Sequence, residues 1–253
     1  MATLLLRLAA PMQAWGDESK YDIRQTRAEP SKSGVIGLLA AALGLRRDSA
    51  EIPALSDALR MGVRVDVPGR IIRDYHIALA PKYTSKGEVR HEPDGSVMME
   101  NAPYVTTRFY LSDACFLVGL ESEDTALLNR LAEALKSPCF PLYLGRRSCP
   151  PTLPLFLGVR RAVLEDALQQ EPWLASDWYR SKQRGFVRLR LILETAKGHP
   201  AWHSLRDHPV SFSPIHRQYS YRGVEREQYV HLREEQGRYV TLGDSSHDPM
   251  VEL

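Results

Sequence analysis

The sequence predicts an α+β fold built on one β-α-β-β-α-β pass, with a hairpin inserted between its two central strands. Three observations predict it. Apolar, strand-like runs at "TLLLRL" (3–8), "GVRVDV" (62–67) and "ACFLVGL" (114–120) are interleaved with two segments of helical apolar spacing. A polar stretch, residues 80–106, interrupts the middle of that series. The Pro-rich "SCPPTLPLFLG" (148–158) closes it and leads into sequence of a different kind.

The first run, "TLLLRL", reads as a buried strand. Arg7 interrupts it and no basic segment precedes it, so it does not read as a signal peptide. Ser31 or Ser33 then takes the N-cap of a helix whose Val35, Leu38, Leu39, Ala42 and Leu43 recur at helical spacing, and Gly44 stops it. "GVRVDV" alternates Val63, Val65 and Val67 with Arg64 and Asp66, as a half-exposed strand does. "ACFLVGL" is a further apolar strand, and "EDTALLNRLAEALK" (123–136) is an amphipathic helix with Leu127, Leu128, Leu131 and Leu135 on one side. "PLYLG" (141–145) supplies the last strand. That order is the ferredoxin-like plan, whose four-stranded sheet is shared by RNA-recognition modules and by many unrelated proteins.

Residues 81–106 read as a protruding hairpin turning at Pro93-Asp94-Gly95, with Met98 and Met99 near its tip. A long insertion leaving a compact domain is usually functional or disordered. No internal repeat is evident. Residues 1–158 therefore form one domain, and residues 159–243 a smaller β-rich one. In the latter, "EDALQQEPWLASDWYRS" is helical or loop, and "FVRLRLIL" (186–193) is a strand with a basic face at Arg188 and Arg190. Residues 244–253 read as a flexible tail.

Composition excludes several classes. No run approaches the roughly 20 apolar residues of a membrane helix. Cys115, Cys139 and Cys149 fit no zinc spacing, and their odd count predicts buried thiols in a reducing cytoplasm. The net charge of +2 does not announce a polyanion binder. Its distribution is more informative. Residues 20–47 hold six Lys or Arg against Asp22 and Glu29, and residues 180–206 hold seven against Glu194. Such clusters are either solvated faces or phosphate-binding faces.

"PSKSG" (30–34) lacks the glycines that precede Lys in a nucleotide-binding loop, so nucleotide hydrolysis is out. It remains a helix start at Lys32 and Ser33 that either receives a phosphate or is a plain N-cap. "LGRRS" (144–148) brings Gly145, Arg146, Arg147 and Ser148 together, with guanidinium forks suited to phosphate. "TRFYL" (107–111) puts Arg108 and Tyr110 on alternate positions, suiting phosphate pairing and base stacking, or forms an ordinary strand. His199 and His203 stand four apart, but Pro200 and the missing glutamate argue against a zinc helix. His76 in "RDYHIAL" is a structural histidine or a general base.

At "LRLAAPMQAWG", "PSKSGVIGLLAAALG", "GVRVDVPG", "RDYHIA", "TTRFYLSDACFLVGL" and "LYLGRRSCPPTLP" the chain resembles the fifth CRISPR-associated protein family of the RAMP superfamily, in its type I-E form. The likeness covers nearly all of residues 4–158 and is weaker afterwards, although "HPVSFSPIHRQYSYRGV" is also similar in order and composition. The resemblance implies a non-catalytic RNA-binding subunit of the antiviral Cascade complex, capping the CRISPR RNA and gripping its 5′ handle. It implies handle contacts at Arg24, Lys32, Ser33, Arg108, Tyr110, Tyr143, Gly145, Arg146, Arg147 and Ser148. The hairpin becomes a thumb, with Tyr83, Lys86, Arg90, Met98 and Met99 meeting RNA and the backbone subunit CasC. The large PAM-recognising subunit CasA is the second protein partner, and target DNA is reached only through the assembled complex. No cofactor, metal or membrane is implied. Some relatives in another subtype cleave repeat RNA with a Tyr-Lys-His set that does not map onto this sequence. A metal-independent endoribonuclease, using His76 or a C-terminal histidine, is the alternative.

Overall fold

Leu4, Leu6 and Leu8 point to one side of the first strand and Leu5 and Ala9 to the other, and both sides are buried. A strand apolar on both faces needs cover on both, and that need organises the molecule. The computed structural model describes residues 1–16, 22–100, 103–196, 202–213, 215–235 and 238–241; the tail expected at 244–253 lies outside them. Strand β1 (Ala2–Ala9) leads to short β2 (Met12–Gln13) and β3 (Ile23–Arg24), then to helices α1 (Lys32–Ala42) and α2 (Glu51–Asp57). Next come β4 (Arg60–Val67), β5 (Arg70–Ala78), β6 (Tyr104–Ser112), β7 (Cys115–Ser122) and α3 (Thr125–Lys136). After β8 (Phe156–Arg160), α4 (Leu164–Gln170) and α5 (Asp177–Arg180), the chain ends in β9 (Phe186–Thr195), β10 (His203–Ser211), β11 (Gln218–Glu235) and β12 (Arg238–Thr241).

The main sheet runs β10-β11-β9-β4-β7-β1-β8, with β12 on β11. Its described pairings are antiparallel. Helices α1, α2 and α3 bury one face, together with Leu4, Leu6, Val63 and Val118. The other face, with Leu5, Leu117, Leu189 and Leu191, is covered by α4 and Trp173. Gly62 and Gly119 are cross-strand partners under α4. A Cβ at either would stand within 2.8 Å of a leucine methyl of that helix, so the glycine pair makes the dimple in which α4 sits.

Three expectations change here. β4 is buried on both faces, because Arg64 and Asp66 are covered by the end of α4 and the segment after it. The Arg64 guanidinium holds Asp66 and donates to the carbonyls of Leu168, Glu171 and Pro172, so it satisfies the helix's free C-terminal acceptors. The last strand of the first domain is β8, not "PLYLG". In that segment Leu144 spends its amide on Cys149 and its carbonyl on Ala14, which makes a loop. The division expected after residue 158 falls within β8, and β9 pairs with β4 to continue the same sheet.

The insertion is an arm. β5 and β6 pair along their whole length, from Arg70↔Ser112 to Ala78↔Tyr104, with β2 and β3 on the far edge of β6. Above them the chain makes two tight turns rather than one. Tyr83 bridges Val89 and His91 bridges Val97, with Gly87 and Gly95 at φ +81° and +85°. These leaves are an eight-residue repeat, "KYTSKGEV" (82–89) and "RHEPDGSV" (90–97), which overturns the expectation of none. The three residues at their bases close a ring: Arg90 donates to Lys82, Lys82 to Met98 and Met98 to Arg90, at 2.8–2.9 Å. Met98 is therefore part of a hub and not of a tip.

One buried charge cluster ties the two halves of the chain. The Lys32 ammonium bonds both oxygens of Glu194 at 2.8 and 2.9 Å, and its backbone amide donates to Asp207 at 2.8 Å. Arg222 holds Asp207 through two bonds, and Glu194 also accepts from the Met61 amide. Breaking a buried pair by deleting one partner costs about 3–5 kcal/mol. Lys32→Ala is expected to lower stability by about 3 kcal/mol in denaturant titration, through loss of the α1 anchor.

Cys115 and Cys149 are buried, whereas Cys139 is exposed, contrary to expectation. Burial pushes the Cys115 thiol up to about 12 and raises Cys149 as well. Titration of the folded protein with a thiol reagent at pH 8 should label Cys139 quickly and the other two only on unfolding.

Candidate nucleic-acid interface

The start of α1 is capped by Ser31, whose hydroxyl accepts from the Gly34 amide at 3.2 Å. A helix start with free amides attracts an anion, and here the anion is the chain's own Asp207. Lys32 is 2% exposed; burial pushes its ammonium below the usual lysine range, and Glu194 draws it partly back. Lys32 is thus part of the scaffold, and the expected phosphate contact there is corrected. Ser33 is buried beside Ser31 but reaches the wall of a cleft.

That cleft, about 840 Å³, lies between α1 and the loop 140–150, with Phe212, Arg217 and Tyr219 closing one end. Glycines bring its walls together. At Gly34 a Cβ would stand 2.8 Å from the Trp15 ring. At Gly145, where φ is +86°, a Cβ would fall 1.6 Å from the Ala14 carbonyl oxygen. The lining cations are Arg46, Arg47, Arg147 and Arg217, against the single acid Asp48, which pairs with Arg46 at the surface. Tyr143, Phe140, Phe212 and Tyr219 supply flat apolar surface between them. A groove of that make-up suits a phosphate chain whose bases are unstacked.

The "LGRRS" loop divides its two arginines between different tasks. Arg146 donates to the carbonyls of Phe109 and Arg24 and lies over the Tyr110 ring at 4.5 Å, which clamps the loop to the second sheet. Tyr110 beneath it is 2% exposed, so the expected base stacking there is corrected. Arg147, one residue on, is exposed in the cleft. Ser148 is exposed with its hydroxyl 3.8 Å from the Cys149 sulfur. Arg24 and Arg108 are cross-strand neighbours on β3 and β6, and the Arg108 Nε is buried without a hydrogen-bond partner among the described residues.

The expected residues therefore form two adjoining groups, with Ser33, Tyr143, Gly145 and Arg147 in the cleft and Arg24, Arg108, Tyr110 and Arg146 beside it. Sequence reading missed Arg46, Arg47, Arg217 and Tyr219 as lining residues. The signal for the first two was the "LRRD" immediately after the α1 stop at Gly44. Of the zinc candidates, His199 lies outside the described residues, and no cluster able to hold a metal occurs among the described ones. His76 stands 3.0 Å from Asp74 and 3.4 Å from the Tyr110 hydroxyl.

On the arm, Tyr83, Lys86, Arg90 and Met99 are exposed. So are the apolar Ile71, Tyr75, Ile77 and Leu79, with Ile77 at 70%. Apolar exposure concentrated on one thin element is the mark of a surface that is covered on assembly.

The chain is similar to known CRISPR-associated proteins. The family model for CRISPR-associated protein Cas5 matches residues 3–225. The CRISPR system Cascade subunit CasD of Escherichia coli (strain K12) is 35% identical over 224 residues, covering 83% of this chain and 90% of that protein. A chain of a CRISPR RNA-guided surveillance complex superposes with a TM-score of 0.69 at 32% identity, covering 94% of this chain and 91% of its own. A crystal structure of a Cas protein gives 0.62 at 39% identity, over 89% and 93%.

Gly145→Ala is expected to cost about 3 kcal/mol, roughly 6–12 °C in Tm, because it combines left-handed backbone strain with a backbone overlap. Arg147→Ala should leave Tm unchanged, since its side chain is exposed. Thermal melts of the two variants side by side check both.

Proposed function

Because this chain belongs to the Cas5 family of CRISPR-associated proteins, we propose that it is the subunit of a Cascade-type complex that grips the 5′ handle of the CRISPR RNA. The observation that carries the reading is the cationic cleft, in which four arginines face one acid between flat aromatic walls. Arg147, Arg217 and Arg47 bind phosphates there, while Tyr143 and Tyr219 offer ring faces to bases. Gly145 supports the site indirectly, because only a glycine lets the loop that carries Arg147 pack against the Ala14 backbone. Beside the cleft, Arg24 and Arg108, neighbours across β3 and β6, add two further cations for phosphates.

The same reading takes the chain through β8 as a ferredoxin-like domain with 81–106 as its thumb, and the later described strands as a β-rich annex whose β9 continues the same sheet. The order β8-β1-β7-β4, with α1 and α3 on one face, supports it. The arm's exposed apolar side chains support a role in contact with the neighbouring backbone subunit, since each one covered contributes about 1.5–3 kcal/mol. Contact with the large subunit belongs to the same assembly. These residues bind and orient RNA; the reading requires no bond to be broken by this chain.

One observation favours an endoribonuclease instead, the His76, Tyr110 and Asp74 cluster. Incubation of the pure chain with repeat RNA separates the two, because cleavage at one site that disappears in His76→Ala would carry the catalytic reading.

For the handle, the joint Arg147→Ala and Arg217→Ala variant should bind at least tenfold more weakly. Its salt slope should shrink by about 1.4, at roughly 0.7 per single-strand phosphate. Fluorescence anisotropy at several salt concentrations measures this, and an unchanged slope would exclude the cleft as the handle's site. For the arm, Ile71→Asp with Ile77→Asp should abolish co-purification with the backbone subunit while leaving the isolated chain's Tm unchanged.

A further inference from the structure

Strands β9 and β11 present a second cationic surface that no residue of the cleft shares. Alternation along β9 sends Leu189, Leu191 and Leu193 into the core beneath α4, and leaves Phe186, Arg188 and Arg190 on the opposite face. Their cross-strand partners on β11 are Arg233, His231 and Tyr229, in that order. Phe186 is 57% and Tyr229 42% exposed, and Arg188, His231 and Arg233 are exposed. Helix α1, which covers this side of the sheet elsewhere, is anchored at Glu194 and does not extend over these residues.

Charge on the face is one-sided. Arg190 and Arg226 engage Glu29 at one end of the row, and Arg188 and Arg233 lie further along it. The two outer arginines lie over rings, Arg188 over Tyr229 at 5.5 Å and Arg233 over Phe186 at 5.8 Å. Along one strand, side chains on the same face repeat about every 6.8 Å. The face is thus a flat row of alternating cations and rings, without the convex helix or ribbon that enters a duplex groove. An unstacked strand can lay its phosphates along the arginines and its bases on the rings, each guanidinium moving from ring to phosphate as a base arrives.

We infer that this β9–β11 face is a second binding surface for single-stranded RNA, separate from the cleft. RNA is favoured over DNA because the Tyr229 hydroxyl and the His231 imidazole stand among the arginines. Both are groups that exchange hydrogen bonds with a 2′-hydroxyl. The inference does not depend on the handle occupying the cleft, and the test is built so that the two can fail separately.

The experiment uses the full chain carrying Arg147→Ala and Arg217→Ala, so that the cleft is already weakened, and a fluorescein-labelled twelve-nucleotide oligouridine. Binding should persist in this background. Adding Arg188→Glu with Arg233→Glu should weaken it at least tenfold and shrink its salt slope by about 1.4. The gentler pair Arg188→Gln with Arg233→Gln should weaken it by a smaller factor with the wild-type Tm retained. A 4-thiouridine oligomer photo-crosslinked to the unmodified chain should attach within residues 186–195 or 218–235. Unchanged affinity and slope in both pairs, or crosslinks confined to the cleft loop, would overturn the assignment. Equal binding of the matching oligodeoxythymidine would overturn the choice of RNA. Loss of a protein subunit on co-purification, with oligouridine affinity intact, would identify a protein contact and sink the proposal.

Discussion

The cationic cleft depends on where helix α1 begins. Its first amide and its lysine are held by carboxylates 175 and 162 residues further along the chain, on β10 at the sheet's edge and on β9 beside β4. Buried ion pairs contribute little net stability compared with an apolar replacement, but their geometry is demanding. Asp207 and Glu194, themselves held by Arg222 and the Met61 amide, accept α1 in one register only. With α1 fixed there, Gly34 meets Trp15, Gly145 meets the chain at Ala14, and the cleft has its width. The helix terminus that could have bound an external anion is instead used to build one wall of the cleft.

The molecule separates its arginines by what surrounds them. Arg64, Arg222 and Arg146 are consumed by carboxylates, helix-end carbonyls and loop carbonyls inside the structure. Arg147, Arg217 and Arg188 look outward. A net charge of +2 therefore says little about local potential: the paired charges inside cancel one another, and the outward arginines are gathered in the cleft and along β9. The arm shows the same separation for apolar groups: the main sheet buries its leucines on both faces, while β5 keeps isoleucines in solvent.

Elements that carry their own periodicity were legible in the sequence. β1, α1, β7 and α3 announce themselves through apolar spacing and caps, and the ferredoxin-like expectation grew from them. What was not legible depends on distant partners. Arg64 and Asp66 look like the wet side of a strand until the end of α4, about a hundred residues on, is seen to cover them. "PLYLG" has the composition of a strand, but its backbone bonds go to Ala14 and Cys149. Arg146 and Arg147 are adjacent and chemically identical, and only the carbonyls around the first distinguish clamp from contact. The eight-residue repeat is faint in the sequence because its signal is sparse, an aromatic ring, a glycine and a valine at fixed offsets.

The hub at the top of the arm has a consequence for how such an arm changes over time. Lys82, Arg90 and Met98 each give one backbone bond to another member of the ring and take one in return, so each leaf is closed at its own base. A segment organised this way can be lengthened or shortened by one whole leaf without altering the register of β5 against β6 beneath it. Reach is then adjusted in units of eight residues by duplication or deletion, and the sheet that carries the arm never has to be redesigned.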